Sequence, residues 1–203
     1  VTSHSGLPRE YFDQLYERRD DPWRFETRWY EERKRALTMA ALPRRRYLNV
    51  LELGCSTGLL TAQLADRADA VLAIDISQAA VDLGRSRLVD RGHVRIERGD
   101  IREELPTGSF DLVLISEVAY YLARHEVEAL AASIHGRLAP SAEVALCHWR
   151  WPVDDYPLSG DEAHDILRSR LNLAPISRLE EQDLLLEVLS TDVRSVATRE
   201  GLT

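Results

Sequence analysis

Val50-Leu51-Glu52-Leu53-Gly54-Cys55-Ser56-Thr57-Gly58 is the stretch that decides the fold of this chain. A short apolar run carrying one acid passes into a turn punctuated by two glycines. Leu59, Leu60, Ala62, Gln63, Leu64 and Ala65 then continue as a helix former. Strand, tight turn and helix form the opening unit of a doubly wound α/β sheet. Gly54 can take a positive φ and lets backbone pass close to a ligand. Gly58 lets the helix begin against the strand, and the helix N-terminus turns unpaired N–H groups toward whatever the turn holds. A dinucleotide-binding turn needs G-x-G-x-x-G, but Ser56 and Leu59 stand at its second and third glycine positions. The order here is acid-x-Gly-x-x-x-Gly, which an α/β protein needing two glycines in its first turn would also show.

The 203 residues, 44% hydrophobic and 30% charged, can build one full core with an appendage. The formal net charge of −8 argues against broad nucleic-acid binding, which wants a basic face. No apolar run approaches the ~20 residues of a membrane span. The opening Val-Thr-Ser-His-Ser lacks a basic region followed by an apolar one, so the expectation is no signal peptide and a cytoplasmic location. Cys55 and Cys147 show no metal-ligand spacing and are expected as reduced, mostly buried thiols, with no metal.

Residues 1–7 are expected to fray. Pro8 to Tyr16 reads as a short helix with Tyr11, Phe12, Leu15 and Tyr16 on one side. Asp20-Asp21-Pro22 is a helix-start signal, and a longer helix runs from about Arg28 to Leu42, ending before Pro43. Glu31 precedes Arg35 by four residues, which predicts a surface pair. Trp23, Trp29 and Tyr30 either pack on the sheet or cover a cofactor. Arg44-Arg45-Arg46 reads as a solvated connection.

Ala70 to Ile74 is a second strand, tipped by Asp75 and Ile76, with Ser77 placed to cap the next helix. Asp75 lies 21 residues beyond Gly54, where an acid holds a ribose by its two hydroxyls. A plain helix-capping acid is the alternative. Val94 to Arg98 is a third strand followed by Gly99-Asp100-Ile101. Phe110 to Ile115 is a fourth, apolar enough to be buried on both faces, and it opens onto Ser116-Glu117-Val118-Ala119-Tyr120-Tyr121-Leu122. A helix bearing Val127, Leu130, Ile134 and Leu138, a turn at Pro140-Ser141, a fifth strand over Glu143 to Trp149 and a helix from Asp161 to about Leu173 follow. Residues 174–180 and 183–190 read as a closing antiparallel pair, and Thr191 onward as a loose tail. The expected organisation is a helical cap (1–46), a doubly wound, mostly parallel seven-stranded α/β core (47–190) with an antiparallel C-terminal strand, and a tail (191–203).

Four strand-tip signals stand in chain order: Glu52-x-Gly54-x-x-x-Gly58, Asp75, Gly99-Asp100-Ile101, and Phe110-Asp111 leading to Ser116-Glu117. Together they resemble the class I S-adenosylmethionine (SAM) methyltransferases over roughly residues 47–190. Within that group the chain is most similar to the nodulation N-methyltransferase NodS family, through Asp21-Pro22-Trp23-Arg24, Tyr30-Glu31, Glu117-Val118 and Tyr120-Tyr121-Leu122. The region after Cys147 matches poorly. The resemblance implies SAM as cofactor and S-adenosylhomocysteine (SAH) as product. It implies that Glu52, Gly54 and Gly58 shape the methionine end, and that Asp75, with Ile76 beside it, holds the ribose. It implies that Asp100 and the Ile101 backbone hold adenine, and that Ser116 and Glu117 lie near the sulfonium. Trp23, Arg24 and Tyr30 would close over the cofactor, with Arg24 able to pair the methionine carboxylate.

The NodS family methylates the amine of a deacetylated chitooligosaccharide. The implied activity is therefore methyl transfer to a small polar amine, an amino sugar or related compound. A non-methylating SAM-binding protein and a nucleotide-binding oxidoreductase are the competing readings. Glu117, Tyr120, Tyr121 and His148 are the candidates for handling a proton. His148 is alternatively a packed histidine bonded to backbone, and His164 either lines the same cleft or lies solvated on its helix.

Overall fold

The run Val50–Leu53 lies in the third strand of a seven-stranded sheet ordered β3-β2-β1-β4-β5-β7-β6, beside the central strand. The structure is a computed structural model and describes residues 5–203. Its strands are β1 (Tyr47–Leu53), β2 (Ala68–Asp75), β3 (Val94–Arg98), β4 (Phe110–Ser116), β5 (Leu138–Trp149), β6 (Ala174–Glu180) and β7 (Leu184–Ser190). β1 to β5 pair in parallel, while β7 runs antiparallel to β5 and to β6. The helices are α1 (Arg9–Arg18), α2 (Trp29–Ala41), α3 (Leu59–Ala65), α4 (Gln78–Arg87), α5 (Arg124–His135), α6 (Gly160–Leu171) and the short α7 (Val196–Arg199).

Alternation along the central strands sorts their side chains into two cores. Leu51, Leu53, Val113, Ile115, Val144 and Leu146 face one way, packed with Leu130 and Ile134 of α5 and Leu167 of α6. Val50, Leu112, Leu114 and Ala145 face the other way, against Leu60 and Leu64 of α3. Both faces are therefore covered, which is why β4 reads as an unbroken apolar run. Polar ties lock the opposite end of the sheet from the strand tips. Asp111 accepts the backbone N–H groups of Leu48 and Asn49 at 2.9 and 2.8 Å. Buried Glu143 takes Arg44 at 3.1 Å and Arg199 at 2.8 Å. Arg44 belongs to the connection expected to be solvated and Arg199 to the tail expected to be loose. Both dock, because a carboxylate buried on β5 needs cationic partners.

Several local expectations are corrected. Gly6 N–H donates to Glu126 Oε2 and Leu7 N–H to the Tyr121 carbonyl, so the end of the supposedly frayed segment is pinned; residues 1–4 lie outside the described residues. Asp21-Pro22 starts turns rather than a helix: Asp21 carboxylate oxygens hold the N–H groups of Phe25 and Glu26. Pro140-Ser141 lies inside β5, with Ser141 at φ 60° beside a register irregularity against β4. Ser77 stands at the N-cap of α4, but its hydroxyl makes no cap bond; Asp75 Oδ1 accepts the Ser77 N–H instead.

Gly58 caps α3 at φ +78°, and a Cβ there would stand 3.2 Å from Gly84 Cα on α4. Gly58→Ala is expected to lower stability by about 1–3 kcal/mol through left-handed backbone strain and this helix–helix approach. Urea unfolding of both proteins checks it.

Candidate active site

The carboxyl ends of the parallel strands open into one cavity with an empty volume of about 1150 Å³, part of it open to solvent. Because the sheet order is β3-β2-β1-β4, the four strand-tip signals fall in a row along its floor: Gly99 to Ile101, Asp75 and Ile76, Gly54 to Thr57, then Ser116 and Glu117. α1, α2 and the turns between them form the roof, contributing Phe12, Tyr16, Trp23, Glu31, Lys34 and Arg35.

The turn after β1 is built by backbone constraint. Gly54 sits at φ +76°, and a Cβ there would meet Val118 side-chain atoms at 2.9 Å. Ser56 is also left-handed, at φ 50°, and two contacts hold it. Its N–H donates to Asp75 Oδ2 at 2.8 Å, and its hydroxyl lies 2.6 Å from the Tyr16 hydroxyl. Burial raises the Asp75 pKa, against the backbone N–H groups that lower it. Glu52, on β1, is 3% exposed, and Oε2 has no partner. Burial pushes its carboxyl up to about 8, so it is protonated at neutral pH. Asp100 is gripped by Arg102, whose Nε lies 2.9 Å from Oδ1 and Nη2 2.6 Å from Oδ2. Burial works against the charged form, but Arg102 holds the Asp100 pKa below its ordinary value.

At the β4 end, Glu117 follows the strand with φ +58°. Oε2 accepts the Tyr120 hydroxyl, while Oε1 is buried without a hydrogen bond. Lys34 Nζ lies 3.4 Å from that oxygen and 2.8 Å from Glu31 Oε2. Burial would depress the Lys34 pKa, yet Glu117 and Glu31 leave it raised, so the ammonium persists. Glu31 is thus a buried partner of Lys34 rather than the surface partner of Arg35. Tyr16, Lys34, Arg35 and Arg102 carry no motif that marks them; Glu31 stands in the Tyr30-Glu31 pair, and helical spacing from that pair is the one hint at Lys34.

Four of the expected site residues lie away from the cavity wall. Arg24 is exposed at φ 62°, in the turn that points Trp23 inward, and Arg35 is the guanidinium that lines the cavity instead. Tyr30 packs edge-on against Trp149 at 5.3 Å. Gly58 serves helix packing. His148 is fully buried: Nε2 accepts the Ala119 N–H at 3.2 Å, and Nδ1 lies 3.0 Å from His164 Nε2. His164 Nδ1 in turn lies 2.8 Å from Glu187 Oε2. These roles assign the protons: His148 carries its own on Nδ1, and His164 donates from Nδ1 to the carboxylate. Burial, with His164 and Lys34 adding, holds the His148 pKa well below its ordinary value. His148 is a neutral, fully bonded packing group and cannot reach a substrate proton. His164 is likewise neither in the cleft nor solvated.

A methyltransferase-domain family model matches residues 50–141. Nodulation protein S of Bradyrhizobium diazoefficiens is 34% identical over 152 residues, covering 68% of this chain and 71% of the relative. The chain is a NodS-like member of the SAM-dependent methyltransferase family. Nodulation protein S of Sinorhizobium fredii is 31% identical over 129 residues, 62% of this chain; the match spans only 59% of that relative's length. The crystal structure of N-methyltransferase NodS from Bradyrhizobium japonicum WM9 in complex with SAH superposes with a TM-score of 0.79. It is 24% identical and covers 88% of this chain and 97% of that one, a likeness of fold.

SAM is the family's cofactor, and the wall of this NodS-like cavity fits it. A vicinal diol needs a carboxylate, which Asp75 presents with lone pairs left over after two backbone N–H bonds. A guanidinium, Arg35, is present for a carboxylate, with Nε buried and unpartnered. Glu52 Oε2 and Glu117 Oε1 are buried polar atoms still lacking partners. Among the described residues no group of three or more His, Cys, Asp or Glu side chains could hold a metal ion. No helix among them is long and apolar enough to cross a membrane.

Glu52 gives a pH signature. Its folded pKa of about 8 lies above the ordinary 4.5, so the folded state keeps a proton that the unfolded chain has lost. The resulting stability is whole below the unfolded value and is lost as pH rises through the folded one. Glu52→Gln has no such proton to lose. It should melt a few degrees above the wild type at about pH 9, with the gap closing toward about pH 5. Calorimetric melts across that range check it.

Proposed function

We propose that this chain transfers a methyl group from SAM to the nitrogen of a small polar amine, an amino sugar or related compound, in the cytoplasm. The observation that carries the reading is Glu117, a cavity-wall carboxylate whose Oε2 accepts the Tyr120 hydroxyl while Oε1 makes no hydrogen bond and has only the Lys34 ammonium near it, at 3.4 Å. It suits an acceptor that presents an N–H. The likeness to NodS, an N-methyltransferase, supports the same choice. Burial raises the pKa values of Tyr120 and Tyr121 well above the ordinary phenol value, which keeps both protonated and unfit as bases.

When bound, the cofactor supplies a methyl group already activated on a sulfonium, so the protein's work is position and electrostatics. Asp75 holds the ribose hydroxyls, with Ile76 packed alongside. Asp100 and the Ile101 backbone hold adenine, Asp100 being oriented by Arg102. The backbone of Gly54 to Ser56, with Glu52 beneath it and Ser116 opposite, frames the methionine end, and Arg35 pairs its carboxylate. Trp23, Phe12 and Tyr16 roof the site and exclude water. Glu117 Oε1 accepts an N–H of the neutral acceptor, turning its lone pair toward the methyl group, and Tyr120 fixes the carboxylate by donating to Oε2. The amine loses its proton to solvent before it binds.

Methyl-labelled SAM incubated with matched amine and hydroxyl panels tests this. Label is expected on primary amines, at a rate rising with pH toward each amine's own pKa. Label confined to hydroxyls would overturn the nitrogen reading, and no transfer to any acceptor would overturn methyl transfer. Asp75→Ala should weaken SAM binding by about 1.5–3 kcal/mol, the scale of hydrogen bonds to a charged group, read by titration calorimetry.

A further inference from the structure

His148 on β5, His164 on α6 and Glu187 on β7 are buried polar side chains that lie behind the cavity rather than in its wall. Local packing brings them together. Gly160 opens α6, and a Cβ there would run into the Trp149 carbonyl and stand 3.1 Å from His148 Cβ, so the helix starts hard against β5. Four residues on, His164 Nε2 faces His148 Nδ1 at 3.0 Å. Glu187 is in register with Leu146 of β5 on one side and Arg178 of β6 on the other.

The bonds along this line can be made in one sense only. The Ala119 N–H is a donor, so His148 Nε2 must offer a lone pair. His148 then carries its proton on Nδ1 and donates to His164 Nε2, and His164 donates from Nδ1 to Glu187 Oε2. A proton on His148 Nε2 would set two N–H groups against each other at 3.2 Å. A neutral imidazole can take either tautomer, and its hydrogen bonds decide which. Here the far end decides, because a carboxylate only accepts. Arg168 and Arg178 stand 3.3 and 2.6 Å from Glu187 Oε1. Burial works against the Glu187 charge, yet His164 and the two guanidiniums hold its pKa below the ordinary value. At the near end, Ala119 opens the helical turn Ala119–Tyr121. Tyr120 lies edge-on to the His148 ring, and its hydroxyl donates to Glu117 Oε2.

We propose that Glu187, His164 and His148 are positioning residues for methyl transfer: Glu187 fixes the tautomer of both imidazoles, and the lone pair thereby left on His148 Nε2 holds the Ala119–Tyr121 turn, and with it the Tyr120–Glu117 pair, in the cavity wall. The inference rests on the acceptor placement proposed above.

NMR of the imidazole nitrogens reads the tautomers without any ligand, and both rings should carry their proton on Nδ1. Two variants of His148 then separate positioning from packing. Glutamine sets an amide oxygen where Nε2 stood, so His148→Gln keeps an acceptor for the Ala119 N–H and loses the tie to His164. Asparagine sets its amide where Nδ1 stood, so His148→Asn keeps that tie and leaves Ala119 without an acceptor. His148→Asn should speed hydrogen exchange at the Ala119 amide at least about tenfold. It should lower kcat about 10–100-fold through misplacement of the turn, with SAM affinity by calorimetry within about threefold of wild type. His148→Gln should stay within about threefold of wild type in all three readouts. Glu187→Leu should match His148→Asn at the Ala119 amide and add nothing in the His148→Gln background, where no tautomer is left to set. Thermal melts establish which variants are folded, and either the His148 pair or the Glu187 pair suffices. A proton on His148 Nε2, equal effects of the two His148 variants, or SAM affinity falling in step with the rate would overturn the proposal. Wild-type protein that methylates no acceptor would overturn the function proposed above, while the tautomers and the amide exchange still decide whether the chain holds the turn.

Discussion

The carboxylate of Asp75 joins two strand tips, and the cavity depends on that joint. One oxygen takes the Ser56 N–H from the turn after β1, and the other takes the Ser77 N–H at the start of α4. A left-handed serine and an N-cap with an idle hydroxyl are thereby held by one half-buried acid. The arrangement places a charged group where a ligand diol can meet it, and uses the same group as the structural pin. Binding and folding share Asp75, and its pKa records the compromise: burial raises it while the backbone donors lower it.

The roof is tied to the floor by polar contacts between distant parts of the chain. Tyr16 of α1 reaches the Ser56 hydroxyl at 2.6 Å, Lys34 of α2 reaches Glu117, and Arg102 spans from Asp100 to the Leu7 carbonyl at 3.2 Å. Each tie ends on a residue at or beside a strand tip. The two N-terminal helices are therefore oriented by the site they cover, and the rings of Phe12 and Tyr16 on α1 and of Trp23 in the turn before α2 fall inside.

A second polar system lies behind the cavity. Ala119 N–H, His148, His164 and Glu187 form a continuous hydrogen-bonded chain through the core, with Arg168 and Arg178 closing on Glu187 at its outer end. Every donor has an acceptor along this line, which is the condition under which buried polar groups are tolerated. It holds the turn carrying Ala119 and Tyr120, and Tyr120 lies edge-on against the His148 ring at 5.3 Å. Histidines that look catalytic by composition here act as scaffold for the loop that presents Glu117.

What the sequence determined by itself was local. Apolar runs bounded by turns marked each strand, and glycines marked the positions where backbone must turn left-handed. Acids at strand ends marked where a parallel sheet offers its carboxyl edge, so Gly54 and Asp75 stood out by spacing, while Asp100 and Glu117 stood out by the family resemblance of the residues around them. Tertiary structure decided everything that depends on how elements meet. The spacing of α2 allowed Glu31 to pair with either Lys34 or Arg35, and only the packing of that helix over the cavity turned Glu31 and Lys34 inward. His148 bonds a residue 16 positions away and His164 one 23 away, across β5, α6 and β7, a geometry no local period encodes. Arg24 and Tyr30 sit in a readable motif yet miss the cavity, because the turn held by Asp21 aims Trp23 inward and its neighbour out. Periodicity reports which side of an element is apolar; which partner that side meets is set by packing angles that exist only once the chain has folded.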